Sequence, residues 1–449
     1  METPVLDDIL VQLRTVLEHD DLAGAAAIIE ALRPPDQAEL FAELDDEHQA
    51  ILLPKLNPAD SADILEEMDE EEAAELVSGL STEAVIRIVD EMEPDEAADL
   101  LGDIRPEQAR VVLAGLEDPE EVRPLLLHPD DSAGGLMTSE FLALRRRMTA
   151  GDAIQAIREW KPDAETIYYL FVIDRYGRLC GVVNLRHLVV ADPDTPIAEI
   201  METEIISVPA GTDQEECARL MARYDLLALP VVDSNNVLLG IITIDDVMDV
   251  LEDEATEDIQ RLGGAEPLDR SYLDTNVFTI TRKRIGWLLL LFLTATLTGS
   301  VMRLFQDELQ MVVALAIFVP LLIGTGGNAG SQTTATIIRA LATGDVDPGD
   351  AFWVWWHEVR IGLALGLVMA IAAYLRAITW ESEPGLALTV SASIMGIVLW
   401  ATGVGSLLPL LAARLGIDPT VVSGPVMSTM VDATGLFIYF TVARMVLGL

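Results

Sequence analysis

The hydrophobic positions in the first part of the chain follow a repeat of twelve residues. Five units begin at Asn57, Asp69, Ser81, Glu93 and Arg105. In each unit the eighth, ninth and twelfth residues are apolar, which places them along one side of a helix. Asn57, Asp69 and Ser81 are typical N-cap residues, so these units are predicted to start new short helices. We expect the five helices to stack as a solenoid that buries the apolar side of each unit.

A second repeat, at an offset of 59 residues, predicts two copies of a small α/β unit. Segment 170–185 aligns with segment 229–244, and each has two apolar strands around a polar turn, followed by a helix. The pair resembles tandem CBS domains, which often bind adenosine nucleotides. Thr243 and Asp246 match the Thr-x-x-Asp motif with which such domains bind a ribose, whereas His187 departs from it in the first copy. The resemblance implies ATP as a ligand of one half-site.

An acidic helix is predicted over residues 245–262, ending at Gly263 and Gly264. Five apolar segments long enough to cross a bilayer follow it. They are 285–302, 309–341, 354–375, 386–411 and 421–446. Arg282, Lys283 and Arg284 precede the first span, and by the positive-inside rule this places the soluble part in the cytosol and the C-terminus outside.

These patterns predict a multidomain protein of the cell (inner) membrane. Its parts are an all-α superhelical N-terminal domain, two α/β CBS domains, a connecting helix and a five-helix α transmembrane domain. The expected boundaries are 1–130 for the helical domain, 131–199 and 200–245 for the CBS domains, 246–263 for the connecting helix, 264–284 for a linker and 285–449 for the transmembrane domain. We expect the large N-terminal part to be cytoplasmic.

The formal net charge of −46 falls almost entirely on the soluble part of the chain. Such a body repels nucleic acid and attracts cations, so DNA and RNA are excluded as partners. The chain has only three lysines among its 449 residues. An acidic, lysine-poor surface is also typical of proteins from a salty cytoplasm, and the charge alone does not separate the two explanations.

A carboxylate within the fifth span is the main candidate for transport chemistry. Asp432 lies near the middle of that apolar segment, where a lone carboxylate costs a few kcal/mol or more. Ser428 and Tyr439 fall on the same helical face. No other carboxylate is expected so deep in a span. We therefore interpret Asp432 as an ion ligand.

Segment 320–332 of the second span is predicted to interrupt its helix, because it combines a proline with several glycines. Its free carbonyls and the Asn328 amide would then line the pore with Gly326, Gly327 and Ser428. Mg²⁺ dehydrates reluctantly, so a wide site of this kind suits the hydrated ion. Composition alone leaves Ca²⁺, Mn²⁺ and Co²⁺ open.

Over nearly its whole length the chain resembles the MgtE family of bacterial magnesium channels. The resemblance rests on the two repeats and on segments 134–138, 254–259, 320–332 and 432–436. It implies a homodimer with its pore on the two-fold axis, Asp432 as the pore ligand, and a connecting helix that plugs the cytosolic mouth. Gly424 departs from the family, which often has a pore-facing asparagine there.

The resemblance also implies regulatory Mg²⁺ sites on three parts of the soluble region. They comprise Asp63, Asp95 and Asp99 of the helical domain, Asp213, Glu215, Asp225 and Asp246 of the second CBS domain, and Asp249, Glu254, Glu257 and Asp258 of the connecting helix. Cytosolic Mg²⁺ that bridges these acids would close the channel.

The sequence predicts a gated Mg²⁺ channel, which is not an enzyme, and leaves three alternatives. An ion-coupled divalent cation exchanger would make flux depend on a proton or sodium gradient. A CBS energy sensor on another transporter would respond to nucleotide without an effect of Mg²⁺. An intramembrane aspartyl protease needs two facing carboxylates, and the sequence predicts one deep carboxylate per chain.

Overall fold

The computed structural model of the chain describes residues 3–160, 168–268, 272, 275–381, 383–421 and 424–449. Parts of the predicted linker 264–284 and the second and third residues of the predicted fifth span lie outside the described residues. The chain separates into two compact units, Met1–Asp253 and Glu254–Leu449.

The first unit begins with short helices. They are α1 (Thr3–Leu17), α2 (Leu22–Ile29), α3 (Pro34–Ala42), α4 (Asp46–Leu52), α5 (Pro58–Glu66), α6 (Glu70–Ser78), α7 (Thr82–Val89), α8 (Pro94–Asp103), α9 (Pro106–Leu113) and α10 (Pro119–Val122). The five predicted repeat helices are therefore confirmed as α5 to α9. Their apolar positions, such as Ile64, Val77 and Val112, are buried in a shared core. Of the three predicted N-caps, the Ser81 hydroxyl accepts a hydrogen bond from the Ala84 N–H.

Carboxylates at helix ends also bind the start of a helix three places further along the solenoid. Glu30 accepts a 2.9 Å hydrogen bond from the Asn57 N–H, and Glu66 accepts one of 2.8 Å from the Glu93 N–H. Asp90 does the same for the Glu117 N–H. These bonds satisfy backbone donors at helix starts and fix the stacking of the helices.

Two small sheets of the same topology follow the helical region. The first contains β1 (Ala143–Arg145), β2 (Tyr169–Ile173) and β3 (Leu179–Asn184), with helices α11 (Ala150–Trp160), α12 (Leu185–Val190) and α13 (Ile197–Ile200). The second contains β4 (Val208–Pro209), β5 (Ala228–Val232) and β6 (Leu238–Thr243), with helix α14 (Gln214–Tyr224). In each sheet the first two strands are parallel and the last two antiparallel. The predicted duplication is confirmed.

The connecting helix and the apolar helices follow. They are α15 (Ile244–Leu262), α16 (Val277–Leu304), α17 (Gln306–Met311), α18 (Ala314–Ala342), α19 (Ala351–Glu381), α20 (Pro384–Arg414) and α21 (Gly424–Leu447). Within the described residues, five of these helices are long and apolar enough to cross a membrane. The predicted helix 245–262 is confirmed, whereas the first span begins earlier than expected, at Val277, and the predicted second span divides into α17 and α18.

The predicted interruption of the helix at segment 320–332 is wrong. Helix α18 is continuous through this segment, with Pro320 inside it. The glycines serve close packing instead, because a Cβ on Gly327 would lie 2.6 Å from the Ser428 Oγ and one on Gly330 2.8 Å from the Met427 Cε. Neighbouring helices thus stabilise a helix that its proline and glycines would weaken in water.

Candidate functional site

Asp432 lies on α21 and is partly exposed in a single chain. Ser428 stands one turn before it on the same helix and packs against Gly327 of α18. Gly326 and Gly327 are buried between helices, whereas Asn328 is exposed. The structure therefore brings Ser428 and Gly327 together beside the Asp432 face, but the backbone of Gly326 and Gly327 is helical and offers no free loop.

A second carboxyl lies within the spans, contrary to the expectation that Asp432 is alone there. Glu358 of α19 is 8% exposed, and its Oε2 accepts a 3.3 Å hydrogen bond from the Thr333 hydroxyl of α18. Glu358 was not predicted as a site residue, because it lies only four residues inside the predicted third span, where a carboxylate near the interface would cost little. The available signal was an acid within an apolar helix.

The end of the connecting helix carries a small ionic network. Arg261 forms ion pairs with Glu257 on α15 and, at 2.6 Å, with Asp418 after α20. Asp418 also accepts a 2.6 Å hydrogen bond from the Thr420 hydroxyl. Partial burial, and then the charge of Asp418, raise the pKa of Asp258. An excess of negative charge thus surrounds one guanidinium.

Asp95 and Asp246 are the most deeply buried of the predicted regulatory acids. Asp95 on α8 is 5% exposed, and within the described residues its Oδ1 has no hydrogen-bond partner. Burial, and next the negative charge of Asp246, raise the pKa of Asp95 well above its usual range. Burial raises the pKa of Asp246 to about 6, although a 2.5 Å hydrogen bond from the Thr243 hydroxyl favours its charged form. A buried oxygen without a donor, facing another carboxylate, fits a cation.

Further acids surround this pair. Burial raises the pKa of Asp99 to about 8 and that of Glu96 to about 9, and the charge of Asp246 adds to both. Burial raises the pKa of Glu67, and the negative charges of Asp249 on α15 and Asp63 in the helical domain add to that effect. Glu96 was not among the predicted ligands, although its position next to Asp95 on a repeat helix could have indicated it.

Other predicted ligands are not brought together in one chain. Asp213 caps the start of α14 and accepts a 3.0 Å hydrogen bond from the Glu215 N–H. Asp225 ends the same helix with a φ of 53°. An eleven-residue helix separates the two by about 16 Å. Among the described residues, no three His, Cys, Asp or Glu side chains converge closely enough to hold a bare metal ion. The acids suit a hydrated cation better than a dry cage.

The last of the membrane-length helices carries a carboxyl, and these helices are joined to a CBS pair and an acidic helical domain. This combination defines a cation-transporting membrane protein. Family models agree for each part: a divalent cation transporter matches residues 319–442, the MgtE intracellular N domain 32–131, and CBS domains 133–194 and 197–253. The chain belongs to the MgtE family of magnesium transporters.

Relatives match nearly the whole chain. The magnesium transporter MgtE of Thermus thermophilus is 43% identical over 98% of this chain and 99% of its own. That of Bacillus subtilis is 32% identical over 97% of each. A crystal structure of the cytosolic domain of the Mg²⁺ channel MgtE in complex with ATP matches 54% of this chain and 99% of its own, with 41% identity and a TM-score of 0.51. The predicted family, fold class and non-enzymatic transport function are confirmed.

Proposed function

We propose that this protein is a homodimeric Mg²⁺ channel that imports magnesium and is closed by cytosolic Mg²⁺. The regulatory part is supported by the buried Asp95 and the half-buried Asp246. Within the described residues one Asp95 carboxyl oxygen has no hydrogen-bond partner, and the charge of Asp246 opposes ionisation of Asp95. A divalent cation relieves both costs. The magnesium transport of the relatives supports Mg²⁺ as that cation.

The pore is assigned to the Asp432 face of α21. Its carboxylate attracts a divalent ion, and Ser428 one turn away offers a hydroxyl to the water shell of that ion. The pore lies on the two-fold axis of a homodimer, so each chain supplies one Asp432. The N-terminal part is cytosolic, the C-terminus is outside, and the end of α15 plugs the cytosolic mouth.

The number of sites needed for gating is modest. Moving a two-state gate from about 1:99 to 99:1 requires about 5.5 kcal/mol of differential binding. A site filled at about ten times its dissociation constant, and absent from the open state, supplies about 1.4 kcal/mol. About four sites per dimer are therefore enough. The acids around Asp95, Asp246 and Asp249, together with those at the end of α15, provide them.

Flux through purified protein in liposomes tests the proposal, with ion identity and internal Mg²⁺ varied independently. We expect Mg²⁺ to enter without a proton or sodium gradient and entry to fall as internal Mg²⁺ rises. Flux that requires such a gradient would identify an ion-coupled exchanger and contradict the channel.

A further inference from the structure

Glu358 is a second carboxyl within the membrane-length helices. It lies on α19, seven residues after Ala351, and only 8% of it is exposed. A carboxyl buried in this way is costly unless it is hydrogen-bonded, and Glu358 accepts a hydrogen bond from the Thr333 hydroxyl. Its burial between the helices favours a functional role over simple packing.

The partner of Glu358 behaves differently from other threonines of α18. Thr325 and Thr336 donate to carbonyls of their own helix, one turn earlier, at 2.7 and 2.9 Å. Thr333 and Thr334 are buried and donate to other helices, Thr333 to Glu358 of α19 and Thr334 to the Gly405 carbonyl of α20 at 3.2 Å. Hydrogen bonds between helices thus hold this turn of α18 from two sides.

The same part of α18 packs against the helix of the proposed pore. Gly327 approaches Ser428, and Gly330 approaches Met427, so closely that no Cβ fits at either glycine without movement. Asp432 stands one turn beyond Ser428. A rotation of α18 would therefore alter the packing of α21 beside Asp432.

We propose that Glu358 is a positioning residue for transport. Its hydrogen bond with Thr333 fixes the rotation of α18, and α18 in turn fixes the segment of α21 that presents Ser428 and Asp432 to the ion. Glu358 acts as a hydrogen-bond acceptor and does not touch the ion. This inference rests on the proposed pore at Asp432.

The test measures Mg²⁺ entry into liposomes over a series of external Mg²⁺ concentrations, with the full chain and low internal Mg²⁺. Glu358→Leu and Thr333→Val each remove the bond between the helices. We expect each to raise the Mg²⁺ concentration for half-maximal flux by roughly fivefold, the effect of one hydrogen bond. The double variant should be no worse than either single variant, because both remove the same bond.

Conservative variants and a matched control separate positioning from folding. Glu358→Gln and Thr333→Ser keep an acceptor and a donor, and should retain the parental half-saturation. Thr336→Val removes a hydroxyl from the same helix that bonds only to its own backbone in the described structure, and should also have no effect. If Glu358→Leu fails to assemble, the half-saturation of Thr333→Val is compared with that of Thr336→Val to test the positioning role.

Parental half-saturation in Thr333→Val, or a loss in Glu358→Gln as large as in Glu358→Leu, would overturn the positioning role. Asp432→Ala is measured alongside. Parental flux in that variant would overturn the proposed pore itself, whereas its loss together with a parental Thr333→Val would overturn only this inference.

Discussion

The Asp246 carboxylate of α15 opposes ionisation of the Asp95 carboxyl of α8, across the boundary between the helical region and the second CBS domain. Burial and this charge together raise the pKa of Asp95, and Asp246 likewise adds to the raised pKa values of Glu96 and Asp99. The sensor proposed here is therefore a cluster that holds protons when it holds no metal. Mg²⁺ and protons compete for it.

The stability of this cluster should depend on pH in a defined direction. The pKa values of Asp246, Asp99 and Glu96 are about 6, 8 and 9 in the folded protein, against about 4 in an unfolded chain. Between about pH 4 and 9 the folded form binds more protons, so its free energy of unfolding falls as the pH rises. Without divalent cations, calorimetry of the purified chain should give a lower melting temperature at pH 8.5 than at pH 6. Added Mg²⁺ should reduce the difference.

The variant Glu96→Gln provides the control, because it removes the group with the highest of these three pKa values. Its melting temperature should depend less on pH than that of the parent. A melting temperature that rises from pH 6 to pH 8.5 in the absence of metal would contradict the buried cluster.

Nucleotide binding should be weak. The ribose-binding candidates Thr243 and Asp246 are hydrogen-bonded to each other at 2.5 Å, and the first CBS copy lacks the acid at His187. Titration calorimetry with ATP should give at most one weak site per chain. Tight binding of ATP to both CBS copies would show that His187 in place of the acid does not weaken nucleotide binding.

Asp432→Ala should abolish Mg²⁺ flux without preventing assembly. The side chain is partly exposed, so its loss leaves no large cavity in the core. Gel filtration of the variant in detergent should match the parent while liposome uptake falls to background. Asp432→Asn keeps the shape and removes the charge, and its flux should fall nearly as far. Parental uptake by either variant would remove Asp432 from the pore.

Gly264→Ala should weaken closure by Mg²⁺. Gly264 has a φ of 76°, and a Cβ there would collide with the Trp287 ring of α16, close to Pro425 at the start of α21. A left-handed alanine costs about 1 kcal/mol or more, so the internal Mg²⁺ for half-closure should rise roughly fivefold. Gly263→Ala is the matched control, because that glycine has an ordinary φ and its nearest Cβ contact is a carbonyl of its own helix at 3.2 Å. Equal effects of the two variants on half-closure would show that the left-handed backbone of Gly264 has no particular role in closure.

The sequence predicted elements whose signal is local. The twelve-residue period gave α5 to α9, the 59-residue offset gave the paired sheets, and apolar length gave the spans, because periodicity reports which side of an element is buried. The prediction of a helix interruption at segment 320–332 was wrong because it considered only local propensity. Proline and glycine weaken helices in water, but side chains such as Ser428 and Met427 make glycine favourable on α18.

Contacts between distant residues could not be predicted. The bond from Thr333 to Glu358 joins residues 25 apart, and the bond from the Asn57 N–H to Glu30 joins residues 27 apart. The first follows from no period, whereas the second recurs at Glu66 and Asp90 in step with the twelve-residue repeat, although the repeat by itself does not say which helices contact each other. The proximity of Asp95 and Asp246 came only from the family resemblance, because charge density by itself does not identify which carboxylates meet.

Closure by Mg²⁺ at the Asp95–Asp246 cluster is tested by the dependence of flux on internal Mg²⁺ when the cluster is neutralised. Asp95→Asn, Asp246→Asn and Asp249→Asn are combined in one full-length variant. The control combines Glu83→Gln, Glu91→Gln and Glu107→Gln, which replace the same number of carboxyls at exposed positions of the helical region. Both proteins are reconstituted in liposomes at a series of internal Mg²⁺ concentrations. We expect the control to close as the parent does, whereas the cluster variant should conduct at every internal Mg²⁺ concentration. Closure of the cluster variant at the parental concentration would contradict this expectation.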